Sequence, residues 1–115
     1  MKKVTAIVRR VLAREIVRAI EHAGCCCLSA VDIDGLGDMV DPEKEHISFE
    51  YEGYYTRMSR IEVLCRDEDI GSIVECIKSH GHTDHPGDGI VYVSCVERVA
   101  RIQSGEEGDV TLRSQ

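Results

Sequence analysis

Three of the chain's five histidines, His80, His82 and His85, fall in the single stretch HGHTDHPGDG, with Asp84 between the last two. Imidazole nitrogens suit zinc, copper and nickel, and the Asp84 carboxylate could serve as a fourth ligand. The spacing H-x-H-x2-H nevertheless matches no standard zinc framework, so histidines on a ligand-free surface are the alternative. The stretch closes on Gly87-Asp88-Gly89, a different kind of signal. Glycines let backbone N–H groups approach an anion closely, as phosphate-binding turns require. Metal and anion both remain open for this stretch.

The thiols are less directive. Cys25, Cys26 and Cys27 are adjacent, and neighbours in a strand point to opposite faces, so the triplet cannot form a simple chelate by itself. It is read either as structural or as a metal or redox element. Cys65, Cys76 and Cys95 each sit in an apolar run and are expected to be buried as small hydrophobes. No Cys/His spacing suggests an activated nucleophile, and the acidic residues form no evident catalytic pair. The chain is therefore not expected to be an enzyme.

Composition bounds the rest. With 115 residues, 43% of them hydrophobic and 30% charged, the chain reads as one globular domain. A net charge of −7 argues against nucleic acid, whose binding rests on clustered cations, and against direct membrane insertion. Basic residues do bunch locally (Lys2, Lys3, Arg9, Arg10 and Arg14; Arg57 and Arg60; Arg98 and Arg101), which leaves room for a local anion site. No window carries the ~18 apolar residues of a membrane span. The opening MKKVTAIVRRVLAREIV is too charged for a signal peptide. A cytoplasmic setting is the expectation, and six cysteines there read as thiols rather than disulfides.

The elements that must position these residues follow from periodicity. Val4–Arg9 alternates and is β-branched, which predicts a strand. Leu12, Ile16, Ala19, Ile20 and Ala23 recur at helical spacing, and Gly24 is a natural stop. A second strand is predicted over 27–34, ending at Gly35-Leu36-Gly37. From Asp38 to Arg57 no period holds, and a connection of about twenty residues is far longer than the usual ~4–6. It is either an irregular loop or a short tyrosine-rich hairpin. A strand over 59–65 follows, then a helix capped by Asp67 with Ile70, Ile73, Val74 and Ile77 on one face, and then a strand over 90–95. This order predicts an α+β, ferredoxin-like βαββαβ domain. Two helices cover only one sheet face, so self-association is expected to cover the other.

At this level the residues match a known set in order and spacing: the opening MKKVTAIVR, Gly35-Leu36-Gly37 before the long connection, Arg60-Ile-Glu-Val63, Gly87-Asp88-Gly89 before a hydrophobic strand, and Arg101-Ile-Gln-Ser-Gly-Glu-Glu107. The chain resembles the P-II (nitrogen regulatory) signal transduction proteins. The resemblance covers residues 1–108, with a T-loop-like segment over 37–57 and a polar tail over 109–115. It implies a homotrimer with adenine nucleotides in inter-subunit clefts, and a loop that acts on a membrane transporter or an enzyme. No cofactor is required for such a role. By the same resemblance, Ile7, Ser29, Gly35, Gly37, Glu62 and Leu64 line the nucleoside pocket. Gly87, Asp88 and Gly89 meet the phosphates, and Arg101 is a phosphate-binding arginine. Tyr51 falls on the tyrosine that is modified in some members, or is simply a solvated loop tyrosine.

The departures from the family pattern alter the expected ligand. Asp38-Met39 replaces the usual Arg-Gln, removing a glutamine that helps hold 2-oxoglutarate and Mg²⁺–ATP. Asp84-His85-Pro86, Ile90 and Gln103 weaken or remove three cationic positions. Each charge-assisted phosphate contact is worth about 1.5–3 kcal/mol, and ~1.4 kcal/mol is tenfold in affinity. AMP or ADP is therefore expected over MgATP with 2-oxoglutarate. The alternative is a metal-responsive protein using His80, His82, His85 and the cysteines for a divalent metal, since one divergent branch of P-II-like proteins is associated with metal efflux.

Overall fold

The computed structural model describes residues 1–112. Five strands and two helices follow one another as β1 (Lys2–Arg9), α1 (Arg10–His22), β2 (Cys27–Gly35), β3 (His46–Ser48), β4 (Gly53–Cys65), α2 (Ile70–Gly81) and β5 (Ile90–Cys95). The main sheet runs β2-β4-β1-β5 with every neighbour antiparallel, and β3 pairs only with the start of β4. This is the ferredoxin-like α+β arrangement anticipated from the element order.

Alternation along the strands decides which face the helices cover. Val4, Ala6 and Val8 of β1 and Ile61, Val63 and Cys65 of β4 point to one side. There they pack with Ile16 and Ile20 of α1, Ile73 and Ile77 of α2, and Cys25. Burying each such aliphatic side chain is worth about 1.5–3 kcal/mol. Gly24, at φ 94°, ends the first helical segment where a left-handed residue is needed.

The opposite face carries no helix. Its rows across the sheet are Val31–Arg60–Ile7–Ile90 and Ser29–Glu62–Thr5–Tyr92. Val31, Ile90 and Tyr92 lie exposed there. Thr5, on the central strand, is 0% exposed, and among the described residues its hydroxyl has no hydrogen-bond partner.

Several expectations change. The strand predicted over 59–65 begins at Gly53: its pairing with β2 continues upstream to Thr56, and Thr56 and Met58 are buried on the parity of Arg60 and Glu62 rather than that of Ile61 and Val63. Its first residues form a hairpin with β3, in which the His46 and Tyr55 rings stack at 5.2 Å. The long connection is therefore partly the tyrosine-rich hairpin. Asp67 does not cap α2. A 3-10 turn over Asp67–Asp69 precedes the helix, and the Asp67 carboxylate accepts from the N-terminal ammonium at 2.8 Å. That hydrogen bond holds the carboxyl below, and the amine above, their ordinary values. Cys65 is buried as expected, but Cys76 is only half-buried and Cys95 is exposed at the end of β5, where Lys2 Nζ lies 3.2 Å from its sulfur. Asp109–Leu112 forms a 3-10 turn with Thr111 and Leu112 buried. The tail residues 113–115 lie outside the described residues.

The Ile16 side chain, fully buried between the helices and the sheet, leaves a cavity when shortened. Ile16→Ala is expected to lower stability by about 2–5 kcal/mol, read as a fall in the urea midpoint with an unchanged m-value.

Candidate functional site

The last residue of β1, Arg9, organises one half of the site. Its side chain is buried, and each part of the guanidinium has a partner. Nη1 donates to Asp41 Oδ2 at 2.5 Å, Nε to Asp88 Oδ1 at 2.9 Å, and Nη2 to the Pro86 carbonyl at 2.9 Å. Asp41 is fixed in turn. Its amide donates to Thr56 Oγ1 at 2.8 Å, and its carboxylate accepts from the Glu43 amide at 2.9 Å. The Asp88 carboxylate also accepts from the Thr83 amide at 2.7 Å and hydroxyl at 2.5 Å. Arg9 thus fastens the base of the long connection and the glycine turn to the end of the central strand.

The glycines in this half answer to close approach. A Cβ on Gly89, at φ 97°, would lie 1.7 Å from the Ile7 carbonyl oxygen. One on Gly87, at φ 95°, would meet the Asp41 amide nitrogen at 3.0 Å, and one on Gly35 would meet Met58 Cγ at 2.7 Å. Met58 also lies against Gly89, so its side chain wedges between the two glycine segments. Gly37, at φ 60°, opens the 3-10 turn Gly37–Met39. Ile7, Asp88 and Gly89 line a cleft of about 490 Å³ with Lys78, His82 and Ile90.

Ser29, Glu62, Leu64 and Arg101 gather elsewhere. Ser29 faces Glu62 across β2 and β4, and Glu62 also pairs with Arg60 at 3.5 Å. Both line a small cleft with Leu64. Leu64 and Arg101 line an adjoining cleft of about 750 Å³ with Cys26, Cys27 and Gln103. Arg101 Nη2 donates to the Thr111 carbonyl at 2.7 Å, so the turn after the glycine-glutamate stretch lies on the guanidinium. The residues singled out for a nucleotide therefore fall into two groups on one chain: Ile7, Asp88 and Gly89 at one cleft, with Gly35 and Gly87 packed nearby, and Ser29, Glu62, Leu64 and Arg101 at the two adjoining ones.

The three histidines do not converge. His80 Nδ1 lies 2.8 Å from the Cys76 carbonyl of its own helix. His82 Nδ1 is 3.8 Å from Asp88 Oδ2, and His85 Nδ1 is 3.4 Å from Glu43 Oε2. Among the described residues, no three His, Cys, Asp or Glu side chains are grouped to hold a metal ion. Tyr51 is exposed beyond β3, its amide bonded to Ser48 Oγ at 3.1 Å.

Sequence reasoning missed Arg9, Asp41, Thr56 and Thr83. The signal available was a charge ending an apolar strand, but its partners lie 32 and 79 positions away. Two carboxyls register this arrangement. The Glu43 amide and then Arg9 hold Asp41 below the usual carboxylate range. Burial pushes Asp88 up, but hydrogen bonds from Thr83 and Arg9 outweigh it and leave a net lowering. Lowered folded-state values mean that the stabilisation is complete above the unfolded value near ~4 and is lost as pH falls through the folded values. Arg9→Met is expected to reduce the urea midpoint at pH 7, because it strands buried Asp41. It should also flatten the loss of stability below pH ~4 that the unaltered protein shows. A midpoint-against-pH series for both proteins checks this.

Comparison with known proteins agrees with the fold. The family model described as "Nitrogen regulatory protein P-II" matches residues 1–106. The chain is 32% identical over 108 residues to "Nitrogen regulatory protein P-II 2" of Methanothermobacter thermautotrophicus, covering 94% of each protein. It is 31% identical over 109 residues to "Nitrogen regulatory protein P-II" of Rhodobacter capsulatus, covering 95% of this chain and 97% of the relative. The same coverage holds for the Cereibacter sphaeroides protein of that name, at 32% identity. A family match over residues 1–106 and relatives 31–32% identical across nearly the whole chain, on a ferredoxin-like fold, place this chain in the P-II nitrogen regulatory protein family.

Proposed function

We propose that this chain is a homotrimeric regulatory protein. It binds an adenine nucleotide, AMP or ADP in preference to MgATP with 2-oxoglutarate, in clefts between subunits. It acts on a transporter or enzyme through the segment 37–57. The observation that carries the ligand preference is the state of Arg9. This guanidinium beside the glycine turn is already paired with two carboxylates, Asp41 and Asp88. Asp84 just before the glycine turn and Asp38 and Glu43 in the long connection add negative charge, and Ile90 follows the turn where the family resemblance places lysine. A triphosphate has more charge to neutralise here than the site supplies. One or two phosphates can be met by backbone amides of Gly87–Gly89 and by Arg101 from the other group.

The two-group arrangement favours inter-subunit binding. A pocket must cover most of a small ligand's surface to hold it. Ile7, Asp88 and Gly89 border one cleft, and Ser29, Glu62, Leu64 and Arg101 border two others that adjoin each other. A neighbouring copy that brings one group against the other encloses the ligand, and the helix-free sheet face gives the copies a surface on which to meet.

The hairpin suits target docking. Phe49 is 94% exposed and Ile47 is 69% exposed, with Tyr51 and Tyr54 beside them. Apolar side chains held out on a two-stranded arm are the kind of anchor that fills a partner's pocket. Tyr51 is accessible to a modifying enzyme in the same position. The role so described is one of binding and release rather than catalysis. The histidine-based metal reading is not carried forward, because the imidazoles point to separate partners.

Calorimetry on the trimer with AMP, ADP and MgATP, each with and without 2-oxoglutarate, tests the reading. AMP or ADP is expected to bind about tenfold or more tightly than MgATP, the difference of a single charge-assisted contact. Addition of 2-oxoglutarate is expected to leave all three affinities unchanged. Tight MgATP binding that 2-oxoglutarate strengthens would overturn the preference.

A further inference from the structure

Cys26 and Cys27 do not diverge as neighbours within a strand do. Cys26 precedes β2 and Cys27 begins it, so the alternation that would separate them is not yet established. Their sulfurs lie 3.6 Å apart, well beyond the ~2 Å of a disulfide. Both also approach one carbonyl, that of Thr111, at 3.8 and 3.5 Å. The Arg101 guanidinium reaches the same place, with Nη2 3.3 Å from Cys26 Sγ. All three side chains border the cleft of about 750 Å³.

We propose that Cys26 and Cys27 form a two-thiolate site for a soft monovalent cation of the copper(I) class, with Arg101 supplying the counter-charge. Soft thiolate ligands favour copper(I), zinc and iron–sulfur clusters. The ligand count points to copper(I). Zinc in a structural site takes four protein ligands, and among the described residues no third His, Cys, Asp or Glu joins this pair. Copper(I) is content with two sulfurs, and a small rotation of one thiol adjusts their separation. Charge balance completes the case. The cation displaces one proton from each thiol, so the bis-thiolate complex carries one net negative charge and two protons leave to solvent. The guanidinium 3.3 Å from Cys26 Sγ matches that charge. Cys25 faces the core, and Cys95 sits at the far end of β5, so neither belongs to the pair. The proposal does not depend on the nucleotide reading.

The test is competition for copper(I) between reduced, anaerobic protein and a chromogenic copper(I) chelator. The unaltered chain is expected to remove one copper(I) per subunit. Cys26→Ser and Cys27→Ser should each abolish this, whereas Cys76→Ser and Cys95→Ser should retain it. Arg101→Gln should weaken it about tenfold, the usual cost of losing a group that supports a ligand. X-ray absorption on the copper-loaded unaltered protein reads the ligands without relying on any variant, and two sulfur scatterers are expected. A nitrogen-dominated shell, no competition by the unaltered protein, or full competition by the Cys26→Ser/Cys27→Ser double variant would overturn the proposal.

Discussion

The placement of every other part of the glycine-rich site depends on one buried guanidinium. Arg9 ends the central strand and is shared between Asp41 and Asp88, with the Pro86 carbonyl taking a third donor. Charges removed from water must be paired and hydrogen-bonded, and removing one partner costs more than the pair contributes. The chain therefore has few alternatives at this point. The start of the long connection must return to Arg9 to bring Asp41 there, and the segment after α2 must fold back to deliver Asp88. Once both have done so, Gly87 lies against the Asp41 backbone and Gly89 against the Ile7 carbonyl. No residue with a Cβ fits either position. The glycine turn is thus a consequence of close packing around the ion pair as much as a device for meeting an anion.

This explains which features could be read in the sequence. Local periodicity identified the strand over 90–95 to the residue and both helices to within a few positions, because Ile70, Ile73 and Ile77, like Ile16 and Ile20, repeat at the spacing of one helix face. The hairpin of β3 with β4 was visible only as an alternative. His46-Ile47-Ser48 is too short for alternation to register, and the acidic run around it looks like solvent-exposed loop. Asp67 carries the composition of a helix cap, but the N-terminal ammonium competes for its carboxylate at 2.8 Å, and a full charge outweighs a helix amide. Cys95 lies in an apolar run, yet β5 is an edge strand, and Val93 beside it is exposed as well. The partners of Arg9 left no local trace. Long-range ion pairs are set by topology, and topology emerges only once the sheet order is known.

The same topology separates the two groups of candidate ligand residues. Gly87–Gly89 lead into β5 beside Ile7 of β1, and Gly35 ends β2 against Met58, whereas Ser29 of β2 and Glu62 and Leu64 of β4 lie further along the sheet in rows that open onto the helix-free face. Thr5 sits on that face, between Glu62 and Tyr92, with a buried hydroxyl that finds no partner among the described residues. A polar group buried without a hydrogen bond costs about 1–3 kcal/mol. Covering this face with a second copy would bury the exposed Val31, Ile90 and Tyr92 at once. In the trimer proposed above, assembly and closure of the ligand clefts would then be one event rather than two.

Arg101 stands where two demands meet. Its guanidinium donates to the Thr111 carbonyl and lies beside the Cys26 sulfur, and it is also the group that the family resemblance assigns to a phosphate. A guanidinium has five donors, so a carbonyl and an anion can share it only if they approach from different sides. A phosphate arriving from the side of Leu64 leaves the Thr111 contact intact. One arriving from the side of Cys26 must displace the Asp109–Leu112 turn, whose Thr111 and Leu112 are buried. Exposing Leu112 alone forfeits about 1.5–3 kcal/mol of burial, comparable with a single charge-assisted phosphate contact. The turn therefore biases the direction from which Arg101 accepts an anion, towards the Leu64 side where Glu62 and Ser29 also line the cleft.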